Sequence, residues 1–413
     1  MKGRGARGTG LTAWLRLLIA ILAARRMLML GAALLPRREE PDRQEAPSVT
    51  ILVPVFNEGN GIRDLLAALE ALDYPRNRVH TALIDDGSTD GSDAVISAWA
   101  AGRPGVTMMR MGQRSGRAAA LNAGRVAVAS DLVLVCDADL RPRPDLLRSL
   151  IGYFADSRVG AVAAYVAPTN TDASMAATYA SLEAWVHQLV TAAGRDRLRL
   201  DPPVHACVAY RTTALESIGW FSGSEPGDDV RASLALSRAG WRTRFSPDAV
   251  AENTVASTWR EYWHQHVRWA RNLLRARPPR HEAASLPGDP APWRMARGVE
   301  RVLTSAGYAD RLVLAGALLL AARGRIPRRL AALYPTVIAV ELIAATGKAG
   351  RARRAPAYLA LALAGFGIDL LATGAAIGKE LLRRPHRWAD EAQMGAGERS
   401  AQQAPTGEIA PLP

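Results

Sequence analysis

The sequence predicts an α/β fold, a mainly parallel, doubly wound sheet covered by helices, with apolar helical segments at both ends of the chain. Three observations carry that prediction. Between Ser48 and about Ala256, short apolar runs alternate with amphipathic helical stretches. Clusters rich in Asp, Asn and Gly follow directly on those runs, at the carboxyl ends of strands where a doubly wound sheet places its ligands. The two ends of the chain are far more apolar than the middle. At 413 residues the chain holds one large domain with attachments, since single domains reach about 250 residues.

The elements follow in order. Val49 to Val55 reads as a buried strand, Ile62 to Leu72 as an amphipathic helix and Val79 to Ile84 as a second strand. Asp93 to Ala101 has helical spacing, Val106 to Met111 is extended, Ala118 to Ala129 is helical and Leu132 to Cys136 is a strand. Before them, Leu11 to Leu35 is apolar apart from Arg16, Arg25 and Arg26, short of a clean span of about 20 residues. A tilted helix with snorkelling arginines, a short hairpin and an amphipathic interfacial helix all fit that pattern, whereas a cleaved signal peptide lacks its small-residue cleavage site. A Pro-containing linker, Pro36 to Pro47, follows. Beyond residue 300, Val302 to Ala322, Leu330 to Thr346 and Ala357 to Ile377 each approach bilayer length, and each carries one acid, Asp310, Glu341 or Asp369, costly in hydrocarbon unless paired. The stretch Ala389 to Pro413 has the polar, Pro- and Gly-containing composition of disorder.

A net charge of +13 suits nucleic acid, anionic lipid or a negatively charged small substrate. The basic residues gather beside apolar runs, at Arg25-Arg26, Arg37-Arg38, Arg323 to Arg329 and Arg351 to Arg354, which favours lipid headgroups and argues against nucleic acid. The two cysteines, Cys136 and Cys207, lie far apart without a CxxC or a His pair, so neither a disulfide framework nor a zinc site is expected and a reducing cytosol fits.

Four polar clusters remain: Pro54-Val55-Phe56-Asn57-Glu58, Asp85-Asp86-Gly87-Ser88-Thr89-Asp90, Asp137-Ala138-Asp139, and Gly227-Asp228-Asp229 with Gln265-His266-Val267-Arg268-Trp269. Either of the first two alone reads as a helix-capping turn. Two carboxylates one residue apart at a strand end suit a hard divalent cation, which characteristically bridges carboxylate to phosphate oxygens. Gln265, Arg268 and Trp269, spaced i, i+3 and i+4, share one face of a helix expected over Thr258 to Leu274. An amide, a guanidinium and an indole together can hold phosphate oxygens and stack on a sugar, while the same aromatic stripe also suits a membrane interface.

In that order, with Ala120 to Gly124 reading ALNAG, the clusters resemble the membrane branch of the family 2 glycosyltransferases of the GT-A fold, which carries a D, D, D, QxxRW signature. The resemblance covers roughly Val49 to Arg277 and extends to cellulose, chitin and hyaluronan synthases and to ceramide glucosyltransferases. It implies an inverting transfer of sugar from a nucleotide-diphosphate sugar, a UDP-sugar, to a lipid or glycan acceptor, with Mg²⁺ or Mn²⁺ as cofactor. By position, Asp85 and Glu58, with Asp86, would contact the nucleoside, and Asp137 and Asp139 would hold the metal on the diphosphate. Arg117 stands where the family often has Lys before ALN. Asp229 would be the general base with Asp228 supporting it, Gln265 and Arg268 would grip the donor diphosphate, and Trp269 would form the acceptor platform.

The implied organisation is a membrane-associated segment and linker over 1–47, a catalytic unit over 48–256, interfacial helices over 257–300, transmembrane helices over 301–380 and a tail over 381–413. It implies a multi-pass plasma-membrane protein with a cytoplasmic catalytic unit. Three departures bear on the acceptor. The RW pair continues as Ala270-Arg271-Asn272-Leu273, closer to lipid-glycosylating relatives; GDD is closer to hyaluronan and chitin synthases; and Val204 to Tyr210 lacks the Gly-rich loop of several polymerases. A processive polysaccharide synthase is the alternative. A polyprenyl-phosphate sugar transferase usually lacks QxxRW, a degenerate nucleotide-sugar-binding protein needs no Asp229, and a dinucleotide-binding dehydrogenase needs a GxGxxG that is missing after the first strand.

Overall fold

The computed structural model describes residues 4–36, 46–222, 227–275, 291–305 and 309–384. Most of the linker, the basic stretch after Arg275 and the tail from 385 onward lie outside those residues. In chain order the elements are α1 (Arg4–Leu34), β1 (Val49–Val55), α2 (Ile62–Glu70), β2 (Val79–Asp85), α3 (Ser92–Ala100), β3 (Val106–Arg110), α4 (Arg117–Gly124), β4 (Leu132–Cys136), β5 (Arg141–Pro142), α5 (Leu146–Ile151) and β6 (Val159–Pro168). There follow α6 (Met175–Trp185), a π-helical stretch (Val186–Ala192), α7 (Ala193–Arg197), β7 (Cys207–Arg211), α8 (Thr212–Ser217), α9 (Asp228–Arg238), β8 (Arg242–Asn253), α10 (Trp259–Arg275), α11 (Ala291–Ser305), α12 (Ala309–Ala322), α13 (Arg328–Lys348) and α14 (Ala355–Leu381).

The strands form one sheet in the order β3-β2-β1-β4-β7-β6-β8-β5. β1, β2, β3 and β4 run parallel, as the alternating pattern predicts. β7 enters antiparallel between β4 and β6, and β6 resumes parallel pairing with β8. Alternate residues of β1 explain the continuous apolar run: Ile51 and Val53 belong to one core with α2 and α5, and Leu52 belongs to the other with α4 and Trp220. Each such side chain contributes about 1.5–3 kcal/mol by leaving water. Pro54, which has no amide hydrogen, falls beyond the pairing with β4, which ends at Leu52. The antiparallel entry sets Cys136 directly opposite Cys207; both are buried, free thiols.

α1 is one continuous helix, which removes the hairpin arrangement. Its Thr12–Leu34 part, with Arg328–Lys348 and Ala352–Leu381, gives three helices long and apolar enough to cross a membrane, of 23, 21 and 30 residues with mean hydropathy 2.0, 1.6 and 1.8. The described residues of the expected run Val302 to Ala322 lie in α11 and α12, residues 306–308 fall outside the description, and the run is not among these three helices. Arg25 and Arg26 do not snorkel outward. Arg26 pairs with Asp310 at 2.7 Å and with Glu341, and also reaches the Tyr334 hydroxyl at 2.9 Å, while Arg25 donates to Glu300 at 2.9 Å. An apolar helix bundle tolerates a charge that is paired, so the arginines turn toward acids rather than toward headgroups. α1 docks on α7 at Gly194, where a Cβ would stand 2.2 Å from the Met29 carbonyl oxygen.

Candidate active site

The first two clusters are laced into one surface at the ends of β1 and β2. The Asn57 amide donates to Ser88 Oγ at 3.0 Å, Asn57 Oδ1 accepts from the Thr89 amide at 2.8 Å, and the Gly59 amide donates to Asp90 at 2.7 Å. Gly87, at φ +79°, lets this turn approach the next loop, where a Cβ would meet the Arg114 backbone nitrogen at 3.0 Å. Asp85 is buried, accepts from the Ser88 amide at 3.1 Å and lies 3.7 Å from Arg110. Asp86 is buried too, and both of its carboxylate oxygens receive backbone amides, from Ser115 and Gly116, each at 2.7 Å. Its hydrogen bonds therefore fold the loop that leads into α4, which limits the nucleoside contact that the resemblance assigns to it. Glu58 stands half-buried beside this surface, its amide donating to Ser92 Oγ at 3.0 Å.

Arg117, the first residue of α4, joins the third cluster to the fourth. Its Nε donates to Asp137 Oδ1 at 2.9 Å, Nη2 lies 2.8 Å from the same oxygen, and Nη1 donates to Asp228. Burial works against the guanidinium's charge, yet Asp137, Asp228 and Asp229 around it raise its pKa well above the ordinary value. Asp137 is half-buried, and burial and Asp139 push its carboxyl up against the pull of Arg117. Asp139, two residues on, is exposed. Asp229 opens α9 beside Asp228. Burial and the Asp228 charge push its carboxyl up to about 6, against Arg117 and the Val230 amide, which donates to it at 2.7 Å.

Asp137 and Asp139 supply carboxylate oxygens alone, the donor type Mg²⁺ and Mn²⁺ take. Among the described residues no group of three or more His, Cys, Asp or Glu could hold a metal. The pair thus fits a cation that draws its remaining ligands from diphosphate and water, and does not fit a closed protein cage.

The predicted helix Thr258 to Leu274 is α10. Gln265 and Arg268 are half-buried and Trp269 is 43% exposed, in keeping with one face turned away from the core. α10 passes the fourth cluster at Gly227, where a Cβ would meet Asn272 Cβ at 3.3 Å, so this helix runs directly beside Asp228 and Asp229. The sequence had not singled out Phe56 and Arg114, whose guanidinium lies 3.9 Å over the ring at the mouth of the first surface. Nor did it single out Glu183 of α6, which meets Tyr262 and His266 on the buried side of α10. Phe56 within PVFNE and His266 within QHVRW were the signals available, whereas Arg114, far from Phe56 in sequence, carried none.

Against known proteins, the model of the glycosyltransferase-like family 2 matches residues 46–272. The chain belongs to that family. A probable glycosyltransferase YdaM of Bacillus subtilis is 25% identical over 233 residues, 55% of this chain and 56% of that protein. An N-acetylglucosaminyltransferase of Rhizobium meliloti is 28% identical over 248 residues, 57% of this chain and 58% of that one. A beta-monoglucosyldiacylglycerol synthase of Synechocystis is 28% identical over 231 residues, 54% of this chain and 47% of that one. The chain thus spans about half the length of these curated relatives. The solved mannosyltransferase of Pyrobaculum calidifontis, in complex with GDP-Man and Mn²⁺, superposes with a TM-score of 0.63 over 92% of this chain and 99% of that one at 24% identity, a likeness of fold. The expected GT-A architecture stands.

Proposed function

We propose that this family 2 glycosyltransferase moves a sugar from a nucleotide-diphosphate sugar to a lipid acceptor, or to a short glycan on a lipid, at the cytoplasmic face of the plasma membrane, inverting the anomeric configuration. The observation that carries the reading is the cluster Asp137–Arg117–Asp228 with half-buried Asp229 beside it, whose carboxyl burial and the Asp228 charge push up to about 6. In the proposed reaction the acceptor oxygen attacks the anomeric carbon, its proton passes to Asp229, and the bond from that carbon to the diphosphate breaks. Asp228, already engaged with Arg117, supports the base. Arg117, Gln265 and Arg268 grip the donor diphosphate, Asp85 and Glu58 meet the nucleoside, and Asp86 acts chiefly through the loop it folds. Mg²⁺ or Mn²⁺ held by Asp137 and Asp139 would neutralise the departing nucleoside diphosphate. Trp269 offers its exposed ring to the acceptor.

The division into a membrane segment, a catalytic unit, interfacial helices and C-terminal membrane helices is part of the proposal. The lipid acceptor draws support from the three candidate spans and from the relative named as a glucosyldiacylglycerol synthase. It is supported further by the fate of the intramembrane acids: Asp310 and Glu341 pair with Arg26 and Asp369 with Arg311, so their charges are neutralised in place rather than offered to a polar path. A processive polysaccharide synthase is the second reading, favoured by relatives named N-acetylglucosaminyltransferase. The donor is taken as a uridine diphosphate sugar, and tests include GDP-mannose because a solved protein of this fold carries it.

Arg268→Ala tests the donor grip. Loss of a charge-assisted contact to phosphate should raise the donor KM by about tenfold or more with a smaller change in kcat. An unchanged donor KM would remove Arg268 from the donor site.

A further inference from the structure

His266 lies inside QHVRW, 5% exposed, with both ring nitrogens engaged. Nδ1 is 2.8 Å from the Tyr262 carbonyl oxygen, which can only accept, and Nε2 is 2.6 Å from Glu183 Oε2. Burial opposes ionisation of Glu183, but His266 and Arg311 hold its carboxyl well below the usual range. Two acceptors therefore flank the ring, one at each nitrogen. The ring is clamped further by stacking on Tyr262 at 3.7 Å and 19°. Its outer side meets the Trp269 ring edge-on at 4.9 Å and 62°.

The clamp reaches into the membrane helices. The Tyr262 hydroxyl lies between Glu183 and Asp369, 2.6 Å from the latter. Arg311 of α12 donates to Glu183 at 2.6 Å and to Asp369 of α14 at 3.1 Å, and the Tyr179 hydroxyl of α6 donates to Asp369 at 2.9 Å. One buried network of hydrogen bonds and ion pairs thus joins α6, α10, α12 and α14. An exposed indole on a helix surface ordinarily has several staggered rotamers. Trp269 instead meets a ring held at both nitrogens and stacked on Tyr262.

We propose that His266 is a positioning residue for the acceptor: pinned by Tyr262 and Glu183, it fixes the Trp269 ring and registers α10 on α14, so that a membrane-borne hydroxyl meets Asp229. The inference rests on the reading of Trp269 as acceptor platform. A histidine that merely fills the core would affect every step alike, whereas a positioning residue separates acceptor from donor.

The test uses the full chain in phosphatidylethanolamine–phosphatidylglycerol liposomes with the nucleotide sugar that wild type turns over. Wild type, His266→Gln, Glu183→Gln, Trp269→Ala and the His266→Gln/Trp269→Ala double variant are compared for sugar transfer, for donor hydrolysis by water and for donor KM. His266→Gln should lower transfer about tenfold or more while hydrolysis and donor KM stay within about threefold, and the double variant should be no worse than Trp269→Ala alone. Glu183→Gln, which keeps the shape and frees the ring, should share that split, and it serves if His266→Gln fails to fold. Equal losses of transfer and hydrolysis, or fully additive effects in the double variant, would overturn the inference alone. A wild-type protein that transfers sugar from no donor would overturn the glycosyl-transfer reading and this one with it.

Discussion

Asp229→Asn is expected to lower turnover by about 10²-fold or more while donor affinity stays within a few-fold. The amide keeps the shape of the carboxylate and the hydrogen bond from Val230 but cannot take the acceptor's proton. Wild type carries a second signature of the same group. Burial and the neighbouring Asp228 raise the Asp229 carboxyl to about 6, so the proton-accepting form dominates above that pH. Turnover should hold level above about pH 6 and fall about tenfold per unit below it, and the residual rate of the Asn variant should lack that limb. Steady-state kinetics of both proteins from pH 4.5 to 8 checks the pair of claims, using about half-unit steps around the group's titration. A variant within a few-fold of wild type would pass the role of base to another residue.

Removal of divalent cations is expected to abolish transfer, and Mg²⁺ or Mn²⁺ to restore it. Asp137 carries a raised carboxyl because burial and Asp139 disfavour its charge, and Arg117 alone opposes them among the causes identified. A cation at this strand end would relieve that repulsion and give the diphosphate a counter-charge. Since Asp137 already accepts from Arg117 while Asp139 is exposed, Asp139→Asn should weaken donor binding more than acceptor binding. Binding of UDP or GDP measured by calorimetry, with and without Mn²⁺, gives a readout independent of turnover. Full transfer in excess chelator would remove the metal assignment from Asp137 and Asp139.

The first half of the sheet was legible because β1 to β4 are short, mostly apolar runs separated by helical stretches, so local periodicity decides them. The polar clusters at those strand ends, the candidate site residues, stood out for the same reason. What periodicity does not carry is the order in which distant strands pair. Cys136 and Cys207 look unrelated in sequence, yet β7 enters antiparallel beside β4 and sets them face to face. Arg25, Arg26 and the three acids of the C-terminal runs were each visible as anomalies. Arg26 meets Asp310 and Glu341 through the packing of α1, α12 and α13, while Arg25 turns to Glu300 and Asp369 to Arg311, pairings that no single helix encodes. The same holds for His266, whose partners come from α6 and from its own helix while its network closes on α14.

The most direct test of the account is the destination of the sugar. Liposomes containing the purified full chain are incubated with Mn²⁺ and a panel of radiolabelled nucleotide sugars, including UDP-glucose, UDP-N-acetylglucosamine and GDP-mannose, and the products are partitioned between organic solvent and water. The account predicts that one donor labels material that extracts into organic solvent and vanishes in Asp229→Asn. Label in material too large to extract, and degraded by a polysaccharide hydrolase, would contradict the lipid acceptor, and no labelled product from any donor would contradict glycosyl transfer itself.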